Sequence, residues 1–166
     1  MDETFELAVP DGQPVITHHR EFGAPVTRLF RAHADPGLMA RWVGPKEAGI
    51  RLSHFDFRPG GGYAYRQVDG QGRGHVFNGV FHTVLEDELI IQTREFDGVL
   101  ELIGLESVAF TDLGDGRSGL TGHHVYRSQG ARDAMASGGM EKVLVDGFAR
   151  LDAVLEEMHD GGNGLP

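Results

Sequence analysis

Residues 56–65 read DFRPGGGYAY and combine an Arg-Pro pair, three consecutive glycines and two tyrosines. A glycine-rich loop that binds phosphate leads from a strand into a helix and usually continues as Gly-Lys-Ser/Thr. Here the glycines are followed by Tyr-Ala-Tyr-Arg, which alternates like a strand, and no lysine follows. The stretch therefore predicts a hairpin turn or bulge, with glycine where the backbone takes a positive φ. Asp56 and Arg58 share one strand face and are expected to hold the turn in place.

Short alternating segments separated by turn residues surround this hairpin on both sides. Strands are predicted at 15–22, 50–57, 63–68, 74–85, 89–96, 99–113 and 118–127, with breaks at 69–72, 86–88, 97–98 and 114–116. Such a series is typical of an antiparallel meander. Gly79, Gly104 and Gly122 lie inside predicted strands, where they are expected to allow bends and bulges.

Helical signals flank the strands. Pro25 opens a predicted helix that runs to about residue 33, and Asp35 is placed to cap a second short helix that ends near Gly44-Pro45. Residues 139–158 carry apolar side chains at spacings of three and four, which predicts one amphipathic helix about 30 Å long. Residues 13–160 are predicted to form one domain, preceded by a loosely held arm (1–12) and followed by a disordered tail (161–166).

The apolar stripe of the long helix needs a partner, and the sheet is the only large one available. This order of elements predicts an α+β fold in which a curved antiparallel sheet wraps around the C-terminal helix. A space between such a sheet and one helix is a common place for a ligand.

Composition narrows the classes of function. The chain has 166 residues and a formal net charge of −10, which argues against binding to nucleic acid or to an anionic membrane. It has no cysteine, so disulfides, thiolate catalysis and Cys-ligated metals are excluded. The N-terminus is acidic and lacks an apolar core, and no segment approaches the roughly 18 apolar residues of a membrane span. A cytoplasmic protein is expected.

The order and spacing of several motifs resemble the START-like, or SRPBCC, superfamily, and most closely the family named after the activator of the heat-shock protein ninety ATPase. The resemblance covers residues 13–158, including the strand FNGVF at 77–81 and the final helix, where Met140 replaces a Trp that is common in the family. The matching motif residues are Phe22, Ala24, Pro25, Asp35, Pro36, Leu38, Trp42, Gly44, Pro45, Asp56, Arg58, Pro59, Gly60 and Gly61.

This resemblance implies a helix-grip fold, with a seven-stranded antiparallel sheet gripping the C-terminal helix, two short helices after the first strand, and a cavity between sheet and helix. It does not imply one activity, because relatives of the fold bind lipids, hormones or polyketides and a few catalyse reactions.

Two histidine pairs, His18-His19 and His123-His124, stand out among the polar residues. Neighbours in a strand point to opposite faces, so neither pair can chelate one metal ion by itself. If the first and last strands pair, one histidine from each can share a face. His18 and Arg20 are expected to face inward. Neither a metal site nor a cofactor is predicted.

Glu95, Glu101 and Glu106 fall within predicted strands. General acid–base catalysis would need one of them to be buried with a raised pKa. On an antiparallel sheet with one solvated face such residues usually point outward, so no catalytic residue is predicted.

The favoured hypothesis is a non-enzymatic protein that binds a small, mostly hydrophobic molecule. Two alternatives stay open: a cyclase- or aromatase-like enzyme that uses the same cavity, and a chaperone cofactor or protein-interaction module. A homodimer is also kept open, because homodimers are the commonest oligomers. The residues expected to line the cavity are His18, Arg20, Trp42, His54, Tyr63, Phe77, Phe81, His124, Met140, Leu144 and Phe148.

Overall fold

The computed structural model describes residues 5–44, 46, 49–68 and 71–161. It is an α+β protein, as predicted, built on one antiparallel sheet of eight strands in the order β1-β2-β8-β7-β6-β5-β4-β3. The strands are β1 (Glu6–Ala8), β2 (Val15–Phe22), β3 (Ile50–Phe55), β4 (Gly62–Val68), β5 (Gly74–Leu85), β6 (Leu89–Phe96), β7 (Gly104–Gly114) and β8 (Arg117–Tyr126). The helices are α1 (Val26–Ala34), α2 (Pro36–Trp42), α3 (Gln129–Ser137) and α4 (Met140–Gly161).

The eighth strand, β1, corrects the predicted count of seven. It pairs with β2 through Leu7 opposite His18, and Phe5 packs against the core. The described part of the predicted arm is therefore held by the sheet and not loose. The predicted tail lies, apart from residue 161, outside the described residues, as do Pro45 and part of the turn at 69–72.

The segment that follows β3 is the predicted hairpin turn. Gly60 has a φ of +85°, and a Cβ on Gly61 would lie 2.0 Å from the carbonyl oxygen of Asp56. The Arg58 guanidinium donates through Nε to both carboxylate oxygens of Asp56, at 3.0 and 2.8 Å. The turn is bonded to β5 as well, because Gly60 N–H donates to the carbonyl of Phe81 and Phe81 N–H to that of Gly61.

The two short helices begin where their sequence signals lie. Pro25 is the N-cap residue of α1, and the Asp35 carboxylate accepts from Leu38 N–H at 3.0 Å to cap α2. Two differences appear beyond them. The predicted strand 99–113 starts with a 3₁₀ turn at Leu100–Leu102, and helix α3 precedes the long helix, separated from it by Gly139 with a φ of +94°.

The glycines inside the strands provide space for side-chain rings on the neighbouring strands, and they do not coincide with the bulges. Gly79, Gly104 and Gly122 stand opposite Tyr63, Tyr126 and His18 in the strand register. A Cβ at Gly122 would lie 2.0 Å from Nε2 of His18, and one at Gly79 would lie 1.9 Å from the Thr93 carbonyl oxygen and 2.7 Å from the Tyr63 ring. The register shifts occur elsewhere, between Leu52 and His54, Phe81 and Thr83, and Asp112 and Gly114.

The core lies between the inner face of the sheet and the helices. Phe148 of α4 is central to it, with ring centroids 5.7 Å from Phe22 and 6.3 Å from Trp42. Arg20 of β2 ties the sheet to α4, because its two terminal nitrogens donate to Asp152 at 2.7 and 2.6 Å. In the part of the chain that the structure describes, no helix combines the length and apolar character needed to cross a membrane.

Candidate functional site

A cavity of about 470 Å³ lies between the sheet and the helices. Its wall includes residues from every strand except β1 and from all four helices. The edge formed by β3, β4 and β5 is aromatic, with Phe55, Phe57 and Phe81 packed in contact at centroid distances of 5.0–5.9 Å. On the sheet, polar side chains of the wall come from β2, β4, β5, β6, β7 and β8, and hydrogen bonds link those on β6, β7 and β8.

Most of the residues predicted to line a cavity do so. They are His18, Trp42, Tyr63, Phe77, Phe81, His124, Met140, Leu144 and Phe148. Arg20 and His54 are corrections. Arg20 faces inward as expected, but its guanidinium is held by Asp152, and His54 is exposed at the sheet edge beside Gly62, where the bulge in β3 turns it away.

The two inward-facing histidines form a cross-strand pair, as the sequence predicted for the first and last predicted strands. Nε2 of His18 lies 3.0 Å from Nε2 of His124, and both residues are 5% exposed. The pair fits because Gly122 is opposite His18 in the register, which lets the His18 ring lie over β8 and reach its next inward residue.

Glu106 extends this pair into a buried chain. It lies directly opposite His124 on β7, and its Oε1 accepts from His124 Nδ1 at 3.1 Å. Only 8% of its side chain is exposed, so the expectation that this carboxylate points outward is wrong. Glu101, by contrast, is exposed in the 3₁₀ turn.

Arg94 and two tyrosines complete the polar cluster. Arg94 Nη1 donates to Glu106 Oε1 at 3.3 Å, and its Nη2 donates to the Tyr65 hydroxyl at 2.6 Å. Gln92 Nε2 donates to the other Glu106 oxygen at 3.1 Å. The Tyr63 hydroxyl donates to the Thr93 carbonyl at 2.8 Å, so this hydroxyl is already satisfied.

Burial and neighbours shift the pKa values of this cluster in opposite directions. Burial, reinforced by His124, lowers the pKa of His18 to about 3, so His18 is neutral at pH 7. Burial alone would raise the pKa of Glu106, but the Arg94 guanidinium and His124 outweigh it and hold that pKa well below its usual range. Burial raises the pKa of both Tyr63 and Tyr65. Arg94 and ionised Glu106 thus form a buried charge pair in the same cluster as neutral His18.

Hydrogen-bond direction follows from these charges. Ionised Glu106 can only accept, so His124 carries a hydrogen on Nδ1. One hydrogen lies between the Nε2 atoms of His18 and His124, and Nδ1 is the other polar atom of the His18 ring. Among the described residues, this Nδ1 and the Nε of Arg94 are buried without a hydrogen-bond partner. Two residues that line the cavity thus each have one buried, unsatisfied polar atom.

Sequence reasoning missed Glu106, Gln92, Arg94 and Tyr65 as members of the site. The alternation in β6 could have indicated two of them. Gln92 and Arg94 share a strand face with the apolar residues Ile90 and Phe96, and that face lines the cavity. Within the described ranges, no three His, Cys, Asp or Glu side chains are grouped so as to hold a metal ion.

A family model described as activator of Hsp90 ATPase homolog 1-like protein matches residues 23–156. Similar solved structures include a protein from Arthrobacter aurescens, at 25% identity over 92% of this chain and 91% of that chain, with a TM-score of 0.84. A protein from Mycobacterium smegmatis has 23% identity over 94% and 100% of the two chains, also with a TM-score of 0.84. No curated protein matches the chain.

Proposed function

The chain belongs to the activator of Hsp90 ATPase homolog 1-like family, and from this premise we propose that it binds a small, mostly hydrophobic molecule in the cavity beneath α4. START-like folds commonly bind hydrophobic ligands in this position. In this proposal the protein binds the molecule without converting it. The fold itself hosts many different biological roles.

One observation carries this proposal: a cavity of about 470 Å³ with an aromatic edge and a compact polar cluster. Ligand pockets are usually about 300–1,000 Å³, mostly apolar, with a few polar groups that orient the ligand. Burial of ligand surface against rings such as Phe77, Phe81 and Phe148 would supply affinity. Trp42, Met140 and Leu144 form the helical side of the same wall.

The proposal is tested with the neutral fluorescent probe N-phenyl-1-naphthylamine and two variants of α4. Leu144 lines the cavity, whereas Val145, the next residue, is 43% exposed on the other side of the helix. Leu144→Trp should fill part of the cavity and weaken probe binding by about tenfold or more, since the probe must give up buried surface. Val145→Trp should leave the affinity unchanged.

Circular dichroism of both variants controls for unfolding. Absence of probe binding to the wild-type protein would overturn the proposal, and so would equal affinity of the wild-type protein and a folded Leu144→Trp variant.

A second candidate is an enzyme that transfers protons within the same cavity, as a cyclase- or aromatase-like reaction requires. The buried chain Glu106–His124–His18 favours it, because a carboxylate that orients a histidine is a common acid–base arrangement. The low pKa of His18 makes it a weak base, which favours binding over catalysis.

Catalysis is tested by incubating the protein with 2-acetylnaphthalene in D₂O and following exchange of the methyl hydrogens by NMR. Exchange at the buffer rate would reject proton transfer for this ketone, while exchange that is lost in His124→Gln would support it.

A protein-interaction module would have an exposed apolar patch and no cavity. The presence of the cavity gives that alternative no support. A homodimer stays a prediction, which sedimentation velocity would test.

A further inference from the structure

Arg94, which lines the cavity, has one hydrogen-bond donor without a partner among the described residues. Its Nη1 donates to Glu106 and its Nη2 to the Tyr65 hydroxyl, while Nε is buried and has no partner among the described residues. The Phe77 ring covers one face of the guanidinium, with a distance of 4.8 Å from the ring centroid to Cζ. The group is thus fixed by three contacts, with a free N–H left on one edge.

A second donor lies on that edge. In a planar guanidinium, Nη2 is the terminal nitrogen on the side of Nε–H, so the Tyr65 hydroxyl, 2.6 Å from Nη2, lies close to the unpaired Nε–H. The Tyr65 oxygen accepts from Arg94, and its own hydrogen has no acceptor among the described residues. Arg94 Nε–H and Tyr65 O–H are therefore two neighbouring donors on residues that line the cavity.

The charge around this place is already balanced. Arg94 is paired with ionised Glu106, which His124 also contacts. A carboxylate ligand would bring a second negative charge close to buried Glu106, and the two carboxylates would compete for the same guanidinium. A neutral acceptor oxygen, such as a carbonyl, satisfies both donors without this cost.

We propose that Arg94 Nε–H and Tyr65 O–H form a binding subsite for the acceptor oxygen of a neutral ligand, which we call the carbonyl subsite. This inference rests on the proposed function, because it names the polar group of the molecule that the cavity binds. It assigns the cavity to neutral ketones, aldehydes, esters or amides with an apolar body and excludes free carboxylic acids as preferred ligands.

The test uses three probes with one skeleton: 2-acetylnaphthalene, 2-ethylnaphthalene and 2-naphthoate. Calorimetric titration at pH 8 gives a dissociation constant for each. The acetyl probe carries the acceptor oxygen, the ethyl probe lacks it, and the naphthoate is an anion. The naphthoate is expected to bind about tenfold or more weakly than the acetyl probe, because its charge is uncompensated.

Tyr65→Phe and Tyr63→Phe are a matched pair, since both rings line the cavity and stack at 6.2 Å. Tyr65→Phe removes a donor of the subsite and should raise the ratio of the acetyl to the ethyl dissociation constant about 3- to 10-fold. Tyr63→Phe removes a hydroxyl that already donates to Thr93 and should leave this ratio unchanged. Arg94→Lys, which keeps the charge beside Glu106 but loses Nε–H, should repeat the effect of Tyr65→Phe.

The outcomes separate this inference from the proposed function. If the ethyl probe binds and the ratio is the same in the wild type, Tyr65→Phe and Arg94→Lys, the carbonyl subsite is wrong and the proposed function stands. Tighter binding of 2-naphthoate than of the acetyl probe would also overturn the subsite. If none of the three probes binds to the wild-type protein, both proposals fail.

Discussion

The two faces of the β2–β8 strand pair use the same residue type in different ways. His18 and His124 face inward, are 5% exposed, and are bonded to each other and to Glu106. Their chain neighbours His19 and His123 face outward, where His19 contacts the exposed Thr121 at 2.9 Å. Adjacent histidines of one strand thus differ in their surroundings: one is buried in a hydrogen-bond network, and the next lies on the solvent-facing side of the sheet.

This difference shows where polar residues of the sheet have a large effect on stability. On the outer face water can replace any lost partner, so each hydrogen bond contributes little. On the inner face a lost partner leaves a buried polar group unsatisfied, which costs considerably more. Substitutions that change one face at a time measure this difference.

The largest expected effect comes from Glu106→Gln. It leaves the Arg94 guanidinium without its buried counter-ion and is expected to lower the free energy of unfolding by about 2–4 kcal/mol. Urea unfolding followed by circular dichroism measures this. Glu101→Gln, at an exposed position in the 3₁₀ turn, is the matched control and should have almost no effect. Equal stability of the two variants would show that the buried network does not support the fold.

The second effect is a dependence of stability on pH. The folded pKa of His18, about 3, lies below its ordinary value of 6.5, so the unfolded chain binds more protons between these values and stability falls as the pH falls from 6.5 towards 3. At pH 5 His18 accounts for about 2 kcal/mol of lost stability. His33, with a pKa of about 4, acts in the same direction.

His18→Gln should therefore reduce the difference in unfolding free energy between pH 7 and pH 5, whereas His19→Gln should retain it. Thermal or urea unfolding at the two pH values gives this difference. If the His18→Gln variant shows the wild-type pH dependence, His18 is not buried in its neutral form.

A third comparison lies within β8, between Gly122 and Gly119. Gly122→Ala directs a methyl group to within 2.0 Å of the His18 ring and should lower the unfolding free energy by about 1–3 kcal/mol. Gly119→Ala directs its methyl group to the outer face, 3.4 Å from His19, and should be neutral or slightly stabilising. NMR signals of the His18 and His124 rings should move only in the first variant. A neutral Gly122→Ala variant would contradict the ring packing.

The smallest effect is expected from His19→Ala on the outer face. Its contact with Thr121 is exposed, so the change in unfolding free energy should be below about 0.5 kcal/mol. A loss above about 1 kcal/mol would mean that the outer face is covered in solution, which sedimentation velocity would then test.

Local signals made much of the fold predictable. Asp35 caps its helix and the glycines after Arg58 form the hairpin turn, because such features depend on only a few neighbouring residues. Strand β1 has three residues and no pattern of its own, and it exists only because β2 offers a free edge. Helix α3 has an N-cap residue that the sequence shows, Ser128, whose hydroxyl accepts from Ala131 N–H at 3.0 Å. The helix was not predicted because its small residues form only a weak apolar pattern.

The site was predictable only in part. Alternation and the pairing of β2 with β8 suffice to bring His18 to His124. A prediction that Glu106 lies in the cavity would have required the register of β7 against β8. That register is shifted by the bulge between Asp112 and Gly114. Counted back from the Gly114–Arg117 pair without the bulge, His124 would stand opposite Ser107 and Glu106 would face outward. A one-residue irregularity at one end of a hairpin thus decides which carboxylate lies in the cavity.

Strand β3 ends the sheet on one side, where an open row of backbone groups can recruit a strand from another molecule and start aggregation. The irregularity between Leu52 and His54 interrupts that row after three regular pairs. At the opposite end β1 offers only three residues. As far as the described residues extend, neither border is a long flat template for edge-to-edge pairing.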